Sequence, residues 1–361
     1  MNEKTLAIVG AGNGGFAMAA DLALSGWKIN LYELPRFREN ITPLLDKGGI
    51  DITGAANTGF SKLANITSDI KEAIKDVPII MIATQALTHE EVATTLVPNI
   101  LDGQTVFILP GNGGSFIFAK IFREKRTKIK IDIAEVLTLP YGCRKTSPTS
   151  VNISRMLGNN FVASLPSKNN NKILTKFKEF YPDTFLMNNV LEVAISNPNI
   201  IIHPAGAMLN MSRIEFTKGD FGLYQEGFSP SVMKVIDGID NELMNIRKAL
   251  NLPIISFKEL FEKRYNKSFE EQFFGIMGKL GSRGPYDVKT RYITEDVPIG
   301  MVLVASIGRW LGVETPTYDA MIHLCGLMTE SDYWKEGRTL ESLGLSTMSI
   351  ERLKKYLEEG I

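Results

Sequence analysis

Thr5-Leu6-Ala7-Ile8-Val9-Gly10-Ala11-Gly12-Asn13-Gly14-Gly15 is the stretch that decides the fold. Five residues of strand character run into a G-x-G-x-x-G turn, and Phe16 to Ser25 reads as the helix leaving it. Gly10 permits the tight strand-to-helix turn, Gly12 lets a pyrophosphate approach the backbone, and Gly15 lets helix and strand pack closely. The loop N–H groups, with Asn13 and Gly14 among them, and the positive helix end then meet the phosphates. Trp27 to Tyr32 reads as the next strand, ending at Glu33, where a carboxylate accepts from adenosine ribose hydroxyls. This favours NAD(H). Arg36 and Arg38 keep NADP(H) open, because a curled loop would bring a guanidinium to a 2′-phosphate. An ordinary tight turn would account for the glycines but not for Glu33.

Strand-like and helix-like segments continue to alternate outward from this point. A helix over 38–47 and a short strand around Ile50 to Ile52 precede Val77 to Ala83, which lacks polar alternation and so reads as a strand covered on both faces. Thr84 and Gln85 follow at its C-terminal edge, where such sheets bind ligands. Thr105 to Pro110 runs into Gly111-Asn112-Gly113-Gly114-Ser115, so Gly-Asn-Gly-Gly occurs twice, each time between a strand and a helix. Either chance produced the repeat, or Gly111 and Asn112 leave room for the nicotinamide and a substrate across the sheet's switch point. Further strands are expected at Ile129 to Leu137, Ser150 to Arg155 and Asn160 to Leu165, with a helix from Ser167 to about Phe180.

Past Asn188 the pattern changes to long helical periods: Pro198 to Phe216, Ser229 to Ala249, Phe257 to Arg264, Val297 to Leu311 and Ser349 to Glu359. Ser229-Pro230 reads as an N-cap with proline in the first turn, and Asn251 as a C-terminal breaker. The expected fold class is therefore α/β plus all-α. Residues 1–187 form a Rossmann-type doubly wound parallel sheet that binds NAD(P), and residues 188–361 form an α-helical substrate domain, packed around a cleft.

The 361 residues exceed one typical domain, and 40 Lys plus Arg balance 40 Asp plus Glu. That balance gives no drive toward nucleic acid or an anionic membrane. Cys143 and Cys325 are the only cysteines and lack a metal-type spacing, which suits a reducing cytoplasm without a structural metal. The N-terminal apolar stretch reads as strand and helix rather than as a secretion signal, and Val297 to Gly308 is too short to span a bilayer. The apolar helical half is compatible with a homodimer and equally with one large core.

Three histidines are present. His89 is expected to cap a helix or face solvent, and His323 to take a core or surface role. His203, in Asn199-Ile200-Ile201-Ile202-His203-Pro204, opens the helical half and is either a satisfied structural residue or an acid/base group. Arg291-Tyr292-Ile293-Thr294-Glu295-Asp296-Val297-Pro298 precedes an apolar helix. Asp296 reads as an N-cap, as the carboxylate that fixes an imidazole tautomer, or as both. Arg291 offers a fork for a substrate carboxylate, or it pairs with Glu295.

The chain resembles the opine dehydrogenases over nearly its full length. The resemblance rests on Gly10 to Gly15, Ala134 to Arg144, Asn197 to Pro204, Tyr224-Gln225-Glu226-Gly227-Phe228-Ser229-Pro230 and Arg291 to Pro298. It implies a reversible NAD(P)H-dependent reductive condensation of an amino-acid α-amine with a 2-oxo acid such as pyruvate. It further implies His203 and Asp296 as the catalytic pair, Arg291 as carboxylate holder with Arg144 second, and substrate contact at Thr138 and Cys143. Competing readings are a ketopantoate reductase-like or 2-hydroxy acid or sugar-phosphate dehydrogenase, and a non-catalytic NAD-binding sensor. A joint requirement for amine and oxo acid separates them.

Overall fold

The computed structural model describes residues 4–125, 130–279 and 283–360. The chain divides into two compact units: Met1–Val193 with Lys355–Ile361, and Ala194–Lys354. The change of character read at residue 188 thus lies slightly before the division. The final residues group with the first unit because Tyr356 packs on Phe116, with ring centroids 6.3 Å apart.

Twelve strands are present among the described residues: β1 Thr5–Val9, β2 Lys28–Tyr32, β3 Gly49–Gly54, β4 Gly59–Lys62, β5 Asn65–Thr67, β6 Ile79–Ile82, β7 Thr105–Ile108, β8 Asp132–Val136, β9 Tyr141–Ser147, β10 Ser150–Met156, β11 Asn160–Leu165 and β12 Thr184–Leu186. Eight of them form one sheet in the order β12-β11-β8-β7-β6-β1-β2-β5. From β8 to β5 every pairing is parallel; β11 runs antiparallel to β8 and parallel to β12. This is the expected Rossmann-type doubly wound sheet. Leu6 and Ile8 of β1 join the core on one face, while Ala7 and Val9 join the core on the other, as period-two side chains under two covering layers must. The strand expected from residue 129 begins at Asp132, and residue 129 itself lies outside the described residues.

A second sheet, β4-β3-β10-β9, was not anticipated. The strands expected around Ile50 to Ile52 and at Ser150 to Arg155 belong to it and not to the parallel sheet. It covers the outer side of helix Asn13–Leu24, in which Phe16, Ala17, Met18, Ala19 and Ala20 are all fully buried.

Helices build the second unit: Asn199–Met208, Met211–Thr217, Leu223–Glu226, Pro230–Ala249, Phe257–Tyr265, Arg291–Thr294, Val302–Leu311, Pro316–Thr329 and Tyr333–Glu336, with π turns at Glu270–Ile276 and Asp296–Met301. The Ser229 hydroxyl accepts from the Val232 N–H as an N-cap, and Asn251 adopts φ +56° just past the end of that helix. Helix Ile350–Glu359 follows and runs into the segment that groups with the first unit.

Candidate active site

In the first unit each glycine of the opening turn has a separate reason. Gly10 has φ +106°, and a Cβ there would fall 2.8 Å from the Thr84 methyl. A Cβ on Gly15 would fall 1.7 Å from the Gly10 carbonyl oxygen, so helix and strand approach as closely as only glycine allows. At Gly12 a Cβ would meet nothing within 4 Å, so the space beside that backbone is open, whereas at Gly14 it would meet Leu139 at 2.7 Å. The Thr84 hydroxyl is buried and has no hydrogen-bond partner among the described residues. An open backbone face at a helix N-terminus beside an unsatisfied hydroxyl fits a pyrophosphate-bearing cofactor.

Glu33 is buried, and its carboxylate accepts from the N–H groups of Ala11 and Leu34, both at 2.9 Å, and from the Asn40 amide at 3.2 Å. A carboxylate has about four acceptor sites, so capacity remains for one ribose hydroxyl. Arg36 is already engaged: it pairs with Glu91, its Nε 3.0 Å from Oε1, and lies over the Phe37 ring. Gln85 is exposed.

Strand β9 borders the same loop. The Asn13 side-chain oxygen accepts from the Lys145 N–H at 2.8 Å, and the Cys143 thiol donates to the Asn13 carbonyl at 3.3 Å. Cys143 therefore lies against the nucleotide loop. Lys145 was missed by sequence reasoning, since nothing in its spacing marks it. Its ammonium sits 3.6 Å from the Phe16 ring centroid, and burial pulls it below the usual lysine range against the opposing field of Glu33. Arg144 is exposed on β9, and the buried Thr138 hydroxyl donates to the Leu139 carbonyl at 3.1 Å.

The second glycine loop is organised by another residue that the sequence did not flag. Glu135, fully buried on β8, accepts from the N–H groups of Gly113 at 3.1 Å and Ser115 at 2.8 Å. A Cβ on Gly111 would strike that carboxylate at 2.2 Å, and Asn112 is buried at φ +48°. The bare backbone thus accommodates a carboxylate of the protein. His89 is fully buried rather than at the surface, because Gly114 closes over its ring, where a Cβ would fall 2.4 Å from Nδ1. His323 is exposed.

In the second unit, His203 lies on helix Asn199–Met208 and Asp296 opens the π turn 93 positions later. Gly300 of that turn permits the approach: a Cβ there would fall 2.1 Å from the Ile200 side chain, one helical turn before His203. His203 Nδ1 stands 2.8 Å from Asp296 Oδ2, and both residues are buried. A carboxylate only accepts, so Nδ1 carries the donated proton and Nε2 of the neutral ring is left as an acceptor. The N-cap position of that turn belongs to Glu295, so Asp296 stands one residue inside it. The Tyr224 hydroxyl lies 3.2 Å from His203 Nε2, and the Tyr292 ring stacks on the imidazole with centroids 4.1 Å apart. Arg291 is exposed and stands 3.8 Å from Glu295. Among the described residues no group of three or more His, Cys, Asp or Glu is arranged to hold a metal, and no helix is long and apolar enough to cross a membrane.

A doubly wound dinucleotide unit and a helical unit carrying a buried histidine–carboxylate pair define a two-unit nicotinamide-dependent dehydrogenase. Residues 186–329 match the model of the NAD/NADP octopine/nopaline dehydrogenase α-helical domain. The chain is 33% identical to an opine dehydrogenase of Arthrobacter sp. (strain 1C), covering 99% of this chain and all of that one. It is 26% identical to a vitopine synthase of Allorhizobium ampelinum, covering 96% and 97%. A structure of octopine dehydrogenase with NADH and agmatine superposes with TM-score 0.80 at 18% identity over 98% of both chains. The chain belongs to the opine dehydrogenase family. It is an NAD(P)H-dependent dehydrogenase that condenses an amino-acid α-amine with a 2-oxo acid reductively to a secondary-amine dicarboxylate, and catalyses the reverse.

Proposed function

We propose that His203 is the group that moves the proton in this condensation, with Asp296 fixing its tautomer and stabilising the imidazolium. The 2.8 Å contact between two buried side chains 93 positions apart carries the reading. When bound, the dihydronicotinamide supplies the hydride. The chain's own work is to lose water from amine and ketone and to hold the resulting imine. Loss of water needs a proton delivered to the departing oxygen, and a group that alternates between neutral and cationic forms near neutrality does this. Both substrates bring carboxylates. Arg291 binds one and Arg144 the other, each an exposed guanidinium able to make two parallel bonds. Thr138 and Cys143 line the oxo-acid side.

The cofactor is held by Gly10, Gly12, Asn13, Gly14, Gly15, Glu33, Thr84, Gln85, Gly111 and Asn112, with NAD(H) preferred over NADP(H). Two features support the preference: the buried Glu33 carboxylate would repel a 2′-phosphate, and Arg36 is committed to Glu91. Pyruvate is the expected oxo acid, in keeping with the octopine dehydrogenase solved with NADH and pyruvate. The exposed Leu324, Leu327 and Met328 on helix Pro316–Thr329 support a homodimer through the helical unit, and Cys143 and Cys325, neither of them in a disulfide, support a cytoplasmic location. Replacing His203 by Ala tests the assignment: NADH binding should persist while turnover falls at least about a hundredfold, the usual scale of general acid–base catalysis. An active variant would remove the mechanism. A matrix of amino acids against pyruvate, oxaloacetate and 2-oxoglutarate, followed with both reduced cofactors, identifies the substrates.

A further inference from the structure

His203 has two nitrogens, and both are spoken for. Nδ1 faces Asp296 at 2.8 Å and Nε2 faces the Tyr224 hydroxyl at 3.2 Å. The ring is held on its face by Tyr292, so it cannot swing Nε2 elsewhere without breaking the stack and the carboxylate bond together. Tyr224 is held too. Its ring packs against those of Phe228 at 5.8 Å and Phe273 at 5.7 Å, and the latter two meet edge-on at 4.8 Å. Tyr224 remains half-buried, whereas His203 is 5% exposed. Tyr224 is therefore the most exposed residue of the chain Asp296–His203–Tyr224.

The three buried charged side chains on the neighbouring helix Pro230–Ala249 are turned to separate tasks. Asp240 accepts from the Phe257 N–H, Glu242 from the N–H groups of Thr317 and Tyr318, and Arg247 donates to Pro253 and Ser196. None of these bonds is made to the imidazole.

We propose that Tyr224 is the outer member of a proton relay, so that its phenol oxygen, rather than His203 itself, meets the substrate. This rests on the assignment of His203 as the proton-transfer group. In the delivering direction the phenol O–H gives its proton to the substrate atom while the Nε2–H of the imidazolium passes its proton to the phenol oxygen. The imidazolium loses one proton, the substrate gains one, the phenol is regenerated, and no electrons change owner. The reverse reaction runs the same transfers backwards. A phenol suits the position because its oxygen donates and accepts at once.

Tyr224→Phe keeps the ring against Phe228 and Phe273 and removes only the hydroxyl. In the full-length enzyme with NADH, pyruvate and a saturating amine, kcat should fall tenfold or more while the pyruvate KM stays within about twofold, and the double variant with His203→Ala should be no slower than His203→Ala alone, as members of one chain are not additive. A kcat loss smaller than tenfold, a loss confined to KM, or additive losses in the double variant would overturn the relay. A second readout needs no variant activity. With ¹⁵N-labelled histidine, the Nε2 resonance of His203, assigned by its disappearance in His203→Ala, should move on Tyr224→Phe while those of His89 and His323 stay in place; an unmoved resonance also overturns it. If His203→Ala is itself active, the underlying assignment fails instead, whatever Tyr224→Phe does.

Discussion

Replacing Asp296 by Asn removes one charge and almost no volume, which makes it the sharpest probe of the site. In the parent the carboxylate takes the Nδ1–H of His203 at 2.8 Å, with both side chains withdrawn from water. A hydrogen bond to a charged group contributes about 1.5–3 kcal/mol, and most of that is felt when the imidazole becomes cationic. An amide oxygen can still accept from Nδ1, but without the charge. At 1.36 kcal/mol per factor of ten, kcat should fall about 10- to 150-fold. The amide can also present its NH₂ to Nδ1, which would move the ring proton to Nε2 and leave the other tautomer in place. That adds to the loss. Initial rates of NADH oxidation at saturating amine and oxo acid give kcat, and quenching of protein fluorescence by NADH gives cofactor affinity. Affinity should be unchanged, because no residue of the nucleotide loop is touched. A variant whose kcat lies within threefold of the parent would refute the coupling of this pair to the chemistry.

Gly15→Ala should weaken NADH binding by about five- to a hundredfold in a fluorescence titration, since a Cβ 1.7 Å from the Gly10 carbonyl must push the helix off the strand at a cost of about 1–3 kcal/mol. Arg291→Ala should raise the apparent oxo-acid KM and leave the thermal midpoint almost unmoved, because an exposed pair 3.8 Å from Glu295 contributes about 0–1 kcal/mol. Glu135→Gln leaves one of the N–H groups of Gly113 and Ser115 facing an NH₂ group, and chemical denaturation should show a loss of about 1–3 kcal/mol. Burial raises the Asp240 carboxyl to about 6. Its folded value lies above its unfolded one, so the folded protein binds the extra proton and this group favours folding as pH falls from 7 to 5. Near pH 5 the gain is about 1.4 kcal/mol, and denaturation of Asp240→Asn across this range should lack it.

The parallel sheet was legible because its strands are buried on both faces and so write uninterrupted apolar runs, as Ile79–Ile82 does. The second sheet was not legible in its own short, half-polar strands. A trace of it stood elsewhere: Phe16 to Ala20 is apolar all round, which a helix covering one sheet face does not require, and it calls for a second covering layer. His203 and Asp296 could be named from residue type and context. Their proximity depends on Gly300, whose role is visible only once helix and π turn are set side by side. Glu135 was hidden because a buried carboxylate in an apolar strand reads as one polar interruption, and its meaning lies in two N–H groups 22 and 20 positions away. Tyr224 was quoted only as part of a motif. Lys145 owes its environment to a strand pairing that the sequence did not reveal.

The return of the chain's last helix to the nucleotide unit has a practical corollary. Tyr356, 1% exposed, rests on Phe116 and beneath the guanidinium of Arg123, both on helix Gly114–Lys125, whose first turn is the second glycine loop. A stop between Ser349 and Tyr356 would leave both residues of the histidine–carboxylate pair in place and yet uncover Phe116 on helix Gly114–Lys125. Such a truncation should therefore surface first as poor retention of dinucleotide rather than as damage to the pair itself.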